Sequence, residues 1–182
     1  MKKLISTFLI LQIATYTICA QGAGQQADII FRISNHIAWP SGDLGYKFVI
    51  GVIGSEIDFL AMQQMAGQKK SIQNYPIEVR FFNCTDNIAE CNVIYVSEEC
   101  GLGIDKILKE TKSAHVLVIT SQPGYAALGS IINFVESEGK VSIELNEKQA
   151  IKRGLEVSAA LKEIAVVIEP FDSATANKGN RT

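Results

Sequence analysis

The chain has little of what the commonest chemistries require. Its 182 residues hold two histidines, four cysteines and a single tryptophan. Neither His36 nor His115 has a cysteine or carboxylate neighbour at ligand spacing, so no metal site is legible and no cofactor is implied. There is no G-x-S-x-G elbow, and neither histidine follows a strand where a general base would stand; no catalytic residue is assigned and an enzyme is not expected. Gly51-x-x-Gly54 lacks both the third glycine of a dinucleotide fingerprint and the Gly-Lys-Ser/Thr of a P-loop, and reads as a tight strand-to-helix turn. Lys+Arg number 17 against 19 Asp+Glu with no dense basic run, which argues against nucleic acid as a partner. No apolar run, including the one at the start, reaches the ~20 residues of a spanning helix, so no membrane span is expected in the mature chain.

What is there suits one folded body. Hydrophobic residues make up 47% of the chain and charged residues 20%, which excludes intrinsic disorder. At this length a fold buries roughly 70% of its unfolded surface and needs neither disulfide framework nor metal. The first twenty residues read as an address rather than structure. Lys2 and Lys3 precede a mainly apolar stretch from Leu4 to Ile18, and Cys19-Ala20 leads into polar Gln21 to Gln26, the layout of a secretory signal peptide. Cleavage is expected after Ala20, with export to the bacterial periplasm. The folded domain is placed at 21–170 and a disordered polar tail at 171–182.

Hydrophobic periodicity supplies the elements. Ile29, Ile33 and Ile37 predict a helix over 28–39, ended by Trp39-Pro40. Residues 47–53 read as a buried strand. Ser55 with Asp58 opens a second helix, and Gly67 is placed to stop it. Further strands are expected at 77–82, 92–96 and 115–120, with a helix over 102–112 between the last two. Ile131 to Val135 and Val141 to Leu145 read as a hairpin. Asn146 with Gln149 caps a short helix closed by Gly154, and Val157, Leu161, Ala165 and Ile168 predict a last helix stopped by Pro170. The expected architecture is α/β: a single-domain three-layer sandwich, with a mixed, mostly parallel sheet of about six strands and helices on both faces.

Once the leader is removed, Cys84, Cys91 and Cys100 remain in an oxidising compartment. If 92–96 is extended, the ends of the Cys91–Cys100 segment lie roughly 15 Å apart. A disulfide tolerates only about 7 Å between Cα atoms. The polar loop between Cys84 and Cys91 can double back, so a Cys84–Cys91 disulfide is expected; three reduced thiols is the alternative. Trp39 is read either as a core plug or as an interface anchor.

The ordered set of segments resembles the YfiR family of periplasmic proteins. The matching pieces are Phe31 to Pro40 (FRISNHIAWP), Phe48 to Gly54 (FVIGVIG), Cys91 to Val96 (CNVIYV), Val116 to Thr120 (VLVIT), Gly129 to Val135 (GSIINFV), and VSIELN and GLEVSAAL within Val141 to Leu161. The resemblance implies a non-enzymatic repressor that binds the periplasmic sensor part of an inner-membrane protein, a diguanylate cyclase or a histidine kinase, and lowers cyclic-di-GMP and biofilm formation or a related output. A homodimer is left open. The matched motifs make Trp39, Pro40, Asn133 and Phe134 the partner-binding candidates, with a role in shaping the fold as the alternative reading. The sequence departs from the family at Ser130 and at Asn92. In several relatives a cysteine on the first strand pairs with the one matching Cys91, and that strand here offers Gly51. A different class of function, a periplasmic small-ligand sensor with its crevice at the carboxyl ends of the strands, is the alternative.

Overall fold

The computed structural model describes residues 22–83, 85–137 and 140–169. The expected leader (1–20), the polar tail (171–182) and Cys84 lie outside the described residues.

The chain opens with a helix over 22–34 (α1), then strands β1 (Ile37–Ala38) and β2 (Phe48–Ile53) and helix α2 (Glu56–Lys69). Next come β3 (Ser71–Ile72), β4 (Tyr75–Phe82), a 3-10 turn (Ile88–Glu90) and β5 (Val93–Val96). Helices α3 (Ile104–Glu110) and α4 (Tyr125–Leu128) flank β6 (Leu117–Thr120). The chain then forms β7 (Ile132–Ser137), β8 (Lys140–Leu145), α5 (Glu147–Lys152), β9 (Glu156–Val157), α6 (Ala159–Ile164) and β10 (Val166–Val167).

Eight strands form one sheet in the order β10-β8-β7-β6-β5-β2-β4-β3, parallel except for the β7–β8 hairpin and the β3–β4 pair. β2, β5 and β6 are buried at every position, as continuous Val/Ile runs are when both faces of a sheet are covered. Alternation sends their side chains into two cores. Phe48, Ile50, Val52, Val93 and Leu117 pack with Ile30 and Phe31 of α1 and Met62 of α2. Val49, Ile53, Ile94, Val96 and Val118 pack with Ile104 and Ile107 of α3 and Ile88 of the 3-10 turn. Helices therefore cover both faces, as the sequence predicts. All six expected strands are present, and the sheet gains the two-residue strands β3 and β10 at its edges.

Three expectations are corrected. Helix α1 ends at residue 34, not at Trp39-Pro40, because Ile37 and Ala38 pair antiparallel with Val157 and Glu156. Gly67 lies inside α2, whose end is set by Lys70 at φ 65°, with its N–H on the Ala66 carbonyl. The continuous last helix is replaced by β9, α6 and β10; Ser158 caps α6 through the N–H of Leu161. Two other caps are where the sequence puts them, with Ser55 accepting from the N–H of Asp58 and Asn146 from that of Gln149. Each is worth about 1 kcal/mol.

The strand order creates one special position. After β2 the chain crosses through α2 to β4 on one side, then returns to lay β5 against the other side of β2. The crossovers on the two sides leave a crevice at the carboxyl ends of β2 and β5, the place where open α/β sheets hold ligands.

Candidate functional site

A cleft of about 340 Å³ occupies that crevice. Gln26 of α1 forms one wall, and Ser55 and Asp58 at the start of α2 another. Tyr95 and Ser97 at the end of β5, Ser121 after β6 and Phe134 of β7 complete the interior. The sequence places hydroxyl and carboxyl groups immediately after the apolar strand runs, so they emerge together where the sheet ends.

The Tyr95 phenol is buried and donates to Oε1 of Gln26; Oγ of Ser121 lies 3.3 Å from it. Burial pushes the phenol well above its ordinary value, so it stays a neutral donor. Burial also raises the Asp58 carboxyl to about 6, against the lowering effect of its hydrogen bond with Ser55 and with a smaller push from Glu99. Ser97 is 2% exposed and its hydroxyl has no hydrogen-bond partner among the described residues. Gly54 makes room for it: at φ 102° a Cβ there would lie 2.6 Å from the Ser97 Oγ. The exposed carboxylates Glu98, Glu99 and Glu136 also line the cleft, and no lysine or arginine does so among the described residues.

These groups can accept and donate hydrogen bonds and favour a ligand with donors of its own. They do not form a nucleophile pair. Ser55 is committed to its cap, His36 Nδ1 lies 3.1 Å from Ser158 Oγ, and His115 pairs with Asp43. Among the described residues no three His, Cys, Asp or Glu side chains are grouped to hold a metal ion.

The residues singled out from the sequence fall in separate places. Trp39 is half-buried, with its Nε1–H donating to the His115 carbonyl at 2.9 Å and its ring edge-on to Phe48 at 5.2 Å. Pro40 beside it is half-buried. Asn133 has no exposed surface: its Oδ1 accepts from Thr120 Oγ1 at 2.7 Å and its Nδ2 donates to Glu144 Oε2 at 2.8 Å. Phe134, its neighbour, turns to the opposite side of β7 and packs tilted against Tyr95 inside the cleft. Cys91 carries a free, buried thiol against Gly51, and its expected partner Cys84 lies outside the described residues.

Sequence reasoning missed the cleft's polar groups as a set. Asp58 was legible only as a helix-start residue, and Ser97 carried no signal beyond following a strand. It named Asn92 only as a departure from the family and gave it no role; its Oδ1 accepts from the Val49 N–H at 2.8 Å and holds the start of β2 to β5.

Solved structures share the fold, among them the following two. The ABC domain from Streptococcus pneumonia, crystallised in complex with L-Trp, is 14% identical over 80% of this chain and 60% of its own, with a TM-score of 0.51. A conserved domain protein from Vibrio cholerae is 12% identical over 80% of this chain and 59% of its own, with a TM-score of 0.54. The chain thus spans about three-fifths of the length of these structures. None of the curated proteins compared with the chain matches it. The family described as YfiR/HmsC-like matches residues 24–166, from the first helix to the last edge strand. The chain belongs to the YfiR/HmsC-like family.

Proposed function

We propose that the protein is a non-enzymatic periplasmic regulator of diguanylate cyclase signalling, and that it works by binding the periplasmic sensor part of an inner-membrane cyclase or related histidine kinase. The observation that carries this reading is the family match over 24–166, which takes in nearly the whole described fold. Among the described residues no helix is long and apolar enough to cross a membrane, consistent with a chain that meets its partner from outside the bilayer. Inhibition requires that the protein bind the partner's inactive state more tightly than its active one; equal affinity for both would shift nothing.

Trp39 and Pro40 are the contact candidates with surface to offer, since both are half-buried at the end of β1. Asn133 and Phe134 act from inside, by setting the shape of β7 and of the cleft. The test is deletion of the gene and its restoration. Cyclic-di-GMP, or the linked kinase output, rises on deletion and falls on restoration; an unchanged level overturns the reading.

The cleft at the strand ends favours a second reading, a small-ligand sensor, and the two are compatible if the ligand relieves inhibition. Thermal shift with a panel of small amines, sugars and amino acids, L-Trp included, separates them. A large shift without recovery of any membrane sensor by pulldown favours the sensor alone.

A further inference from the structure

A second cavity shares no lining residue with the strand-end cleft and differs from it in sign: it is basic. A groove of about 480 Å³ runs between α3 and α5 and is lined by Lys109, Lys112, Lys152 and Arg153, with Asp105 its one acidic residue. In a chain of net charge −2 this is a marked local reversal of sign. Elsewhere four lysines are paired: Lys47 with Glu78, Lys69 with Asp28, Lys148 with Glu169 and Lys162 with Glu147. None of the four cations in the groove forms an ion pair with a carboxylate among the described residues.

Arg153 is the decisive member. It is only 7% exposed, and among the described residues no carboxylate pairs with it. Two arms of its guanidinium donate to the carbonyls of Thr111 and Leu108 at the end of α3, which fixes the plane of the group. Its Nε–H has no partner among the described residues. A guanidinium removed from water is costly unless paired, and carbonyl dipoles neutralise it only in part. Burial accordingly lowers its proton affinity. A fixed guanidinium with a spare N–H, in a groove shared with three exposed lysines, is an arrangement suited to a multiply charged oxyanion.

We propose that the α3–α5 groove is a binding site for a phosphate-class oxyanion, either free or carried on a lipid headgroup. Arg153 supplies the oriented donor, and Lys109, Lys112 and Lys152 supply charge at the rim. This goes beyond the regulatory reading and does not depend on it.

Two probes test it on the purified exported chain at constant ionic strength: inorganic pyrophosphate by calorimetry, and vesicles of phosphatidylglycerol in phosphatidylcholine by co-sedimentation, with pure phosphatidylcholine as control. Saturable binding of pyrophosphate alone identifies a free anion as the source, and binding to the anionic vesicles identifies a lipid headgroup. Either result supports the site provided that K109Q/K152Q, changes at exposed positions that leave the melting temperature unmoved, weakens binding tenfold or more. R153K, which keeps the charge but loses the fork, weakens it as well. Absence of saturable binding to both probes, or a smaller loss in the double lysine variant, overturns the proposal.

Discussion

The sulfur of Cys91 sits directly over the bare α-carbon of Gly51. A Cβ built on Gly51 would lie 3.0 Å from that sulfur, 2.8 Å from Phe82 Cε2 and closer still to Ile94 Cδ1. The strand is glycine here because its neighbours fill the space a side chain would need. Gly51→Ala is therefore expected to cost about 1–3 kcal/mol through overpacking, read as a lower denaturation midpoint. Gly51→Cys, once the tips of Ile94 and Phe82 give way, is expected to close a disulfide with Cys91 on oxidation and lose that thiol from the titre. A Cys91 thiol that survives oxidation in this variant refutes the geometry.

Cys91 itself is expected to be chemically quiet. Burial pushes its thiol up to about 12, against the opposing pull of Arg80. Iodoacetamide at pH 8 should leave Cys91 untouched in the native protein and label it on unfolding, as peptide mapping would show. Labelling of the native state contradicts the burial, and a Cys91 that needs reductant even after unfolding reveals the Cys84–Cys91 bridge.

Asp58 makes the fold sensitive to mild acid in the less usual direction. Its carboxyl is raised to about 6 in the folded protein from an ordinary value of 3.8, so the folded state binds the proton more tightly than the unfolded chain. Its contribution to stability is fully present below about pH 4 and is lost as pH rises through 6. Asp58→Asn should flatten this part of the stability profile in denaturant melts between pH 4 and 7. A variant whose profile parallels the parent's shows that Asp58 titrates normally.

Asn133 links three strands by its side chain alone. Asn133→Ala leaves Thr120 and Glu144 without their shared partner and is expected to cost about 1–3 kcal/mol. If Asn133 shapes the fold, any loss of partner binding should follow the loss of stability and be restored at lower temperature. Loss of binding with an unchanged melt would place it at the interface despite its burial.

Trp39→Phe removes the Nε1–H donated to His115 and keeps most of the ring. A cost of about 0.5–1.5 kcal/mol is expected in denaturant melts. Pulldown of the membrane sensor should weaken beyond that effect if Trp39 is a contact; retention of full binding removes it from the list of candidates.

The six long strands were legible because a parallel sheet covered on both faces demands uninterrupted Val/Ile runs, as in Phe48 to Ile53 and Leu117 to Thr120. The caps at Ser55 and Asn146 were legible because they depend on contacts three residues away. What escaped was set by distant neighbours. Ile37 and Ala38 look like a continuation of α1 until Val157 and Glu156 arrive to pair with them. Val157, Leu161 and Ala165 keep helical spacing, yet Val157 lies in β9, Leu161 in α6 and Ala165 in extended backbone just beyond it. The cleft was expected only as a general position, because its walls come from segments as far apart as Gln26 and Phe134, and strand order alone brings them together. Arg153 gave no hint at all: an arginine before a glycine reads as a solvated helix end until its guanidinium is found beneath α3.

The two-stranded pairing of Ile37 with Val157 and Ala38 with Glu156, backed by the Ser158 N–H on the His36 carbonyl at 2.9 Å, acts as a clasp. It buckles the first third of the chain to the last, with every strand of the large sheet but β10 in between. A piece ending at the β7–β8 hairpin lacks β9 and leaves Ile37 and Ala38 unpaired. A pull applied to both ends would reach the edge strand β10 and this short ladder before any central strand of the large sheet felt the strain.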